Sequence, residues 1–287
     1  GVDRFTILAI WGTETNYGVE TGGEQVVSAL ATLAFARYRG DYFRDELIAA
    51  LKILEDGHVT PAAMRGSWAG AMGQTQFMPS SFLRHAVDAD GDGRADIWSS
   101  PTDALASAAS FLAHHGWAAG APWGYEVALP AGFQLAPDDQ ERYRPVDEWA
   151  GRGVARADGA PLAEGAEARL LLPAGRAGPV FLVTRNFTVI RSYNNSMFYA
   201  LAVGPLSDRL AGRAPLVGRW PQERAIAATQ ARDLQRELHR RGADVGALDG
   251  KVGDKVRAAI RDWRARQGVT PDGHPTLALL EEMRKAP

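Results

Sequence analysis

The chain contains no cysteine. That excludes disulfide scaffolds, thiol nucleophiles and thiolate metal sites. It fits an envelope protein that avoids oxidative mispairing, although many cytosolic chains also lack cysteine. No stretch reaches the roughly 18 consecutive apolar residues of a membrane span. Neither a signal-peptide pattern nor an anchor cysteine is present. Charge of one sign is not in excess either: 32 Lys and Arg oppose 34 Asp and Glu, a net charge of −2. Nothing therefore pulls the whole chain toward nucleic acid or acidic lipid. The six histidines do not fall among carboxylates at zinc spacing. His114-His115 sits at a predicted helix end, where a charge–dipole or packing role is expected. The basic segment Arg236–Arg241 reads as a solvated helix face rather than a nucleic-acid site.

The 287 residues suffice for one large or two to three ordinary domains, and 46% hydrophobic with 23% charged is a globular balance. Residues 1–120 read as helical. Val26, Leu30 and Leu33 mark one apolar face, Leu47, Leu51 and Leu54 a second, and Leu105, Ala108 and Leu112 a third. Residues from 121 to about 192 are expected to form a small sheet-bearing insertion. Its strand candidates are Tyr125–Leu129, Ala168–Leu172, Val180–Val183 and Phe187–Ile190. Helix returns at Tyr199–Leu210, and residues 213–223, with Pro215 and Pro221, read as a linker. Residues 224–287 carry three helix patterns: Leu234 and Leu238; Val256, Ile260 and Trp263; Leu277, Leu280 and Met283. Asp249-Gly250 and Asp272-Gly273 mark the turns between them. Trp263 shares a face with Val256 and Ile260, so it is expected in the core. The fold class is mainly α (α+β), a helical core with a small β-containing insertion and a C-terminal three-helix domain.

Three segments carry chemistry. Phe5 to Trp11 is an apolar run that leads into Glu14, followed by Tyr17 and Gly18. Glu14 thus falls on the last turn of a helix, among apolar side chains. It is either a surface residue of an amphipathic helix or a general acid. Burial disfavours an ionised carboxyl, so a glutamate here can keep its proton near neutral pH. The segment Gly66–Phe82 has no charge and carries hydroxyls, amides, aromatics and small residues. It suits a sugar better than a phosphate, or it is a Gly/Ala-rich helix contact. The third segment places Asp88, Asp90 and Asp92 at the first, third and fifth positions of a loop, with Gly93 sixth. That is the opening of an EF-hand calcium loop, with the Arg94 carbonyl at the seventh position. The twelfth position is Ser99 rather than Glu. A solvated acidic turn is the alternative, and Asp96 binds directly, through water, or not at all.

The glutamate segment, the run AGAMGQTQFMPSS, the Asp-rich loop and Arg191-Ser192-Tyr193-Asn194-Asn195-Ser196 occur in this order. Together they resemble the lytic murein transglycosylases of the membrane-bound B type, with a lysozyme-like core, over roughly residues 5–212. The resemblance implies cleavage of the β-1,4 bond between MurNAc and GlcNAc of peptidoglycan, leaving 1,6-anhydro-MurNAc ends, with Glu14 as the single acid and base. It implies sugar contacts from Ser67, Gln76, Tyr193, Asn194 and Tyr199. It also implies a structural Ca2+ held by Asp88, Asp90, Asp92, Arg94 and Asp103, with no organic cofactor. Residues 224–287 resemble the three-helix peptidoglycan-binding domain of wall enzymes, with a groove expected near Asp249-Gly250 and Arg257. Relatives carry helices ahead of the position of Glu14, so the resemblance implies a chain trimmed at its start. The expected partner is the glycan strand, with recruitment by cell-wall synthesis or division complexes and no nucleic acid. The expected state is a monomer in the periplasm or cell envelope, a location that follows from the substrate. A hydrolytic muramidase and an inert wall-binding scaffold are the competing readings.

Overall fold

The computed structural model describes residues 1–222 and 225–286. The expected end of the linker, Glu223, the expected start of the last domain, Arg224, and Pro287 lie outside the described residues. Along the chain run α1 (Arg4–Thr15), β1 (Glu24–Gln25), α2 (Val26–Phe35), α3 (Tyr42–Glu55), β2 (Arg65–Gly66), α4 (Pro79–His85) and α5 (Pro101–His114). Then follow β3 (Gly124–Ala128), β4 (Arg144–Pro145), α6 (Val146–Gly151), β5 (Ala155–Arg156), β6 (Glu167–Leu171) and β7 (Val180–Val183). The rest is helical: α7 (Arg185–Tyr193), α8 (Met197–Leu210), α9 (Ala228–Arg240), α10 (Asp254–Arg266) and α11 (Leu277–Lys285). The mainly helical α+β class is therefore found. No described helix is long and apolar enough to cross a membrane.

The chain gathers into two compact units, residues 1–121 with 186–215 and residues 122–185 with 216–287. In the first, α2 packs on α3 and α1 on α8. Val26 and Leu30 of α2 are buried as expected. On α3 the buried face is Phe43, Glu46, Ala50 and Ile53, and Leu51 is half exposed. The Leu47-Leu51-Leu54 stripe is therefore not the core face. The true face includes a carboxylate, which an apolar count passes over. Glu46 is not a misplaced charge: it accepts from the Ser80 N–H (2.9 Å) and the Ser80 hydroxyl (2.7 Å), capping the start of α4.

The second unit holds an antiparallel sheet of order β4-β6-β7-β3-β5. In it Tyr125 lies opposite Leu182, and Leu170 pairs with the same residue from the other side. The inner face packs on Trp149, which is fully buried and donates its indole N–H to the Ala168 carbonyl at 2.9 Å. Residues 187–190 depart from expectation: they lie in α7, not a strand. Val and Ile favour strands only where a pleated surface receives them. Here Phe187 and Ile190, spaced three apart, are both fully buried on one helical face.

Helices α9, α10 and α11 close on Leu234, Leu238, Val256, Ile260, Trp263 and Met283. Trp263 is core, as its register implies. Leu277 is 45% exposed at the first position of α11, and Leu279 takes the buried place beside Leu280. These helices are joined to the sheet-bearing segment of the same unit. The Gln140 amide donates to the Pro271 (3.3 Å) and Asp272 (3.0 Å) carbonyls. Arg261 pairs with Glu141 at 2.6 Å. Val217 and Gly218 donate their N–H groups to the Glu126 carboxylate at 2.6 Å. The proline-marked connection is thus pinned to β3 there.

Candidate active site

The end of α1 is fixed from both sides. Asp3 caps its start by accepting from the Phe5 and Thr6 N–H groups. Its end turns at Asn16, which adopts a left-handed conformation (φ 49°). The Thr15 hydroxyl donates to the Gln74 carbonyl at 3.0 Å and accepts from the Gly18 N–H at 3.1 Å. The Gln74 side chain accepts from the Trp11 indole (3.1 Å) and donates to the Trp98 carbonyl (3.2 Å). Gln74 is buried, and a Cβ on Gly18 would stand 2.7 Å from its Oε1. Trp11, Thr15, Gly18 and Gln74 therefore lock the last turn on which Glu14 sits. Sequence reasoning missed Gln74. The signal was there, since it is one of two amides in an uncharged run, and a buried amide must find partners.

Glu14 is half-buried. Burial raises its pKa above the ordinary 4.5, and the Tyr199 hydroxyl acts in the opposite direction by favouring the carboxylate. That hydroxyl is itself buried and makes no hydrogen bond of good geometry. We read its effect on Glu14 as that of a nearby hydroxyl dipole. Tyr193 lies close by. Its phenol donates to the Thr75 carbonyl at 2.8 Å, and its ring lies parallel to that of Tyr199, 6.4 Å between centroids. Burial first, and the Glu14 charge second, raise both phenol pKa values. Both therefore stay protonated at any physiological pH. They can donate hydrogen bonds but not accept a proton as bases.

The uncharged segment folds as a hairpin-like loop. Gly70 donates its N–H to the Ser67 carbonyl at 3.0 Å, and Met72 and Phe77 exchange backbone bonds at 2.8 and 3.2 Å. A Cβ on Gly66 would lie 2.0 Å from the Ala71 carbonyl oxygen, so only glycine fits there. Ser67 accepts from the Ala69 and Ala71 N–H groups at 3.3 and 3.1 Å, which holds the turn. Gln76 is left-handed (φ 51°), a strained state for a side-chain-bearing residue. Its amide N–H groups reach the Thr21 (3.0 Å) and Gly73 (2.9 Å) carbonyls. Its carbonyl oxygen carries none of these bonds. The Thr75 hydroxyl beside it is buried and has no partner. Of the expected sugar contacts, Tyr193 and Tyr199 come together with Glu14. Ser67 and Gln76 shape the loop, and Asn194 is exposed at the end of α7.

His85, His114 and His115 gather with Phe111. The His115 ring stacks on Phe111 at 4.1 Å, and His85 lies 4.8 Å from His114. Burial, then the neighbouring His114, His115 and Arg84, hold His85 at a pKa of about 4. Phe111 in turn packs on Tyr193 at 4.9 Å. The histidine pair therefore packs on this cluster, and the His115 Nδ1 also lies 2.8 Å from the Phe111 carbonyl in the last turn of α5.

In the acidic loop, one carboxylate oxygen from each of Asp88, Asp90 and Asp92 lies within 4.8 Å of the others. All three are exposed, and no other such group of metal-ligating side chains occurs among the described residues. Asp88 accepts from the Gly91 and Gly93 N–H groups at 2.7 and 2.9 Å. Arg94 pairs with Asp92 at 3.1 Å. Asp103 stands apart from this triplet. It is fully buried and takes the Ala89 (2.9 Å), Asp90 (3.3 Å) and Asp96 (2.8 Å) N–H groups. It thus ties both ends of the loop to the first turn of α5. The Asp96 carboxylate accepts from the Trp98 and Ser99 N–H groups at 2.9 and 2.8 Å.

A half-buried acid at a helix end, a strained glycine-bearing loop and two neutral phenols define a candidate acid–base site. Residues 1–208 match the family described as "Transglycosylase SLT domain", and the chain belongs to that family. Residues 228–283 match a second family, "Putative peptidoglycan binding domain". The chain is 37% identical over 216 residues to the membrane-bound lytic murein transglycosylase B of Escherichia coli (strain K12), covering 74% of this chain. It spans 58% of the length of that protein. The crystal structure of SltB3 from Pseudomonas aeruginosa, in complex with NAG-anhNAM-pentapeptide, is similar over 99% of this chain and 77% of that one. Identity there is 50% and the TM-score 0.92. The E. coli lytic transglycosylase Slt35 in complex with calcium is 33% identical, with a TM-score of 0.61 over 73% of this chain and 66% of that one.

Proposed function

We propose that this chain cuts peptidoglycan glycan strands between MurNAc and GlcNAc by non-hydrolytic transglycosylation, at the cell envelope. The observation that carries the reading is Glu14: a carboxyl whose pKa is raised by burial, held at a locked helix end beside two neutral phenols. In the first half of the reaction, protonated Glu14 gives its proton to the glycosidic oxygen as the bond to C1 breaks. The substrate's own N-acetyl oxygen stabilises the positive carbon, so a second protein carboxylate is not required. In the second half, Glu14, now ionised, takes the proton of the MurNAc C6 hydroxyl. That oxygen closes on C1, and Glu14 ends protonated again, with no water consumed. The attack is intramolecular, so proximity replaces an activated external nucleophile. Burial favours the acid of the first half, and the Tyr199 hydroxyl favours the carboxylate of the second. Ser67, Gln76, Tyr193, Asn194 and Tyr199 are proposed to hold the sugars.

Purified sacculi test the reading. The wild-type chain is expected to clear a sacculus suspension and release soluble muropeptides. Sacculi that bind the chain yet stay turbid would leave the inert scaffold instead.

A structural calcium ion is proposed in the acidic loop. The convergence of Asp88, Asp90 and Asp92 fits a hard cation with oxygen ligands. The Arg94 carbonyl and Asp103 complete the proposed set, since Asp103 Oδ2 accepts one N–H and keeps a lone pair. The ion would neutralise the like charges and stiffen the loop ahead of α5. Calcium at 100 times its Kd is expected to stabilise the fold by about 2.7 kcal/mol. Asp90→Asn with Asp92→Asn should erase the rise in melting temperature. Equal melting temperatures in calcium and in chelator for the wild type leave a solvated acidic turn.

A further inference from the structure

The basic segment Arg236–Arg241 lines a groove of about 940 Å³ between α9 and α11. Four arginines, Arg236, Arg240, Arg241 and Arg284, face two carboxylates, Asp233 and Glu237, an excess of two positive charges. Asp233 pairs with Arg236 at 3.0 Å and with Arg284 at 2.8 Å. Glu237 pairs with Arg241 at 2.8 Å and also with Arg240. Each carboxylate is therefore shared by two guanidiniums, each of which presents five N–H donors in a planar fork. Donors are left over for another acceptor.

Helix-end electrostatics explain part of this cluster. Arg241 donates to the Met283 (2.5 Å) and Ala286 (2.9 Å) carbonyls at the end of α11, where a cation belongs. The other three do no such work. The side chains of Arg236, Arg240 and Arg284 are 57%, 68% and 50% exposed. No Phe, Tyr or Trp is among the residues that line the groove, so it lacks the broad apolar faces that sugars stack on. The Arg257 region, expected from sequence as part of a groove, is taken: its guanidinium reaches the Pro173 and Gly273 carbonyls at 3.3 and 3.5 Å.

We propose that this groove is a carboxylate-binding site that takes the peptide stems of peptidoglycan. The ligand of the SltB3 structure carries a pentapeptide, and such a stem ends in a carboxylate, the group that guanidinium forks pair with. The proposal rests on the wall-binding reading of residues 228–283 and adds what part of the wall is gripped.

The test is co-sedimentation of the full chain with two kinds of sacculi, intact and stripped of stems by an amidase. Arg236→Gln/Arg240→Gln/Arg284→Gln is expected to bind intact sacculi about tenfold more weakly than wild type. Its melting temperature and its turnover of short soluble glycans should be unchanged. Arg240→Gln alone should shift in the same direction, and Arg266→Gln, the same charge change on the exposed end of α10, should not. Stripped sacculi should bring the wild type down to the triple variant's level. Wild-type affinity in the triple variant, or equal wild-type binding to stripped and intact sacculi, overturns the stem site. Failure of the wild type to bind either kind overturns the wall-binding reading itself.

Discussion

Glu14→Gln is expected to reduce release of anhydro-muropeptides by at least about 10²–10⁴-fold, the usual worth of a positioned acid–base group. One residue serves in both halves of the proposed cycle, so the loss should fall at the upper end. Binding to sacculi should persist. The variant should also be no less stable than wild type, for a reason set by linkage. The folded-state pKa of Glu14 is raised, chiefly by burial. The stability from its protonated form is full below the ordinary value of 4.5 and is lost as pH rises through the folded-state pKa. At neutral pH the wild type therefore carries a cost that a neutral glutamine lacks. Glu14→Gln should melt higher than wild type near pH 7, and the gap should close on acidification. Thermal melts across pH, run beside the activity assay, check both. Near-wild-type turnover in the variant removes Glu14 from the acid role.

Asp103→Ala is expected to destabilise the first unit by roughly 1–3 kcal/mol, the usual cost of leaving a buried polar group without its partner. Asp103 is fully buried and accepts from three N–H groups, those of the exposed Ala89 and Asp90 and of the half-buried Asp96. Its charge also sits in the first turn of α5, behind the Ser100 cap, where the helix dipole favours an anion. Asp103→Asn should cost less, since one oxygen remains to accept. The comparison must be made in chelator, so that any loss of calcium is common to both proteins. A denaturation midpoint in chelator equal to wild type contradicts the anchoring role and leaves Asp103 only as a ligand.

The asymmetry between what could and could not be read in advance has physical causes. Glu14 was legible because helix periodicity, an apolar run and Gly18 place it at a helix end before any contact is known. The acidic loop was legible because three aspartates two residues apart must be solvated or bridged. Gln74 was not. Its partners, Trp11, Thr15 and Trp98, are 63, 59 and 24 residues away along the chain, and no local pattern encodes such a bond. Residues 187–190 misled because β-branched side chains declare a preference that burial overrides. Asp103 was singled out by its resemblance to a ligand position. Its hold on three backbone groups is visible only once the loop is folded around it. The Arg236–Arg241 face looked like ordinary helix decoration until α11 brought Arg284 across from it.

Mass spectrometry of the muropeptides released from purified sacculi tests the central claim most directly. Intramolecular closure by the C6 hydroxyl yields MurNAc ends lighter by one water than those from hydrolysis. The account predicts that 1,6-anhydro ends dominate the wild-type digest and vanish with Glu14→Gln. A digest whose new ends are reducing MurNAc, carrying the mass of an added water, would contradict it and make the chain a hydrolytic muramidase.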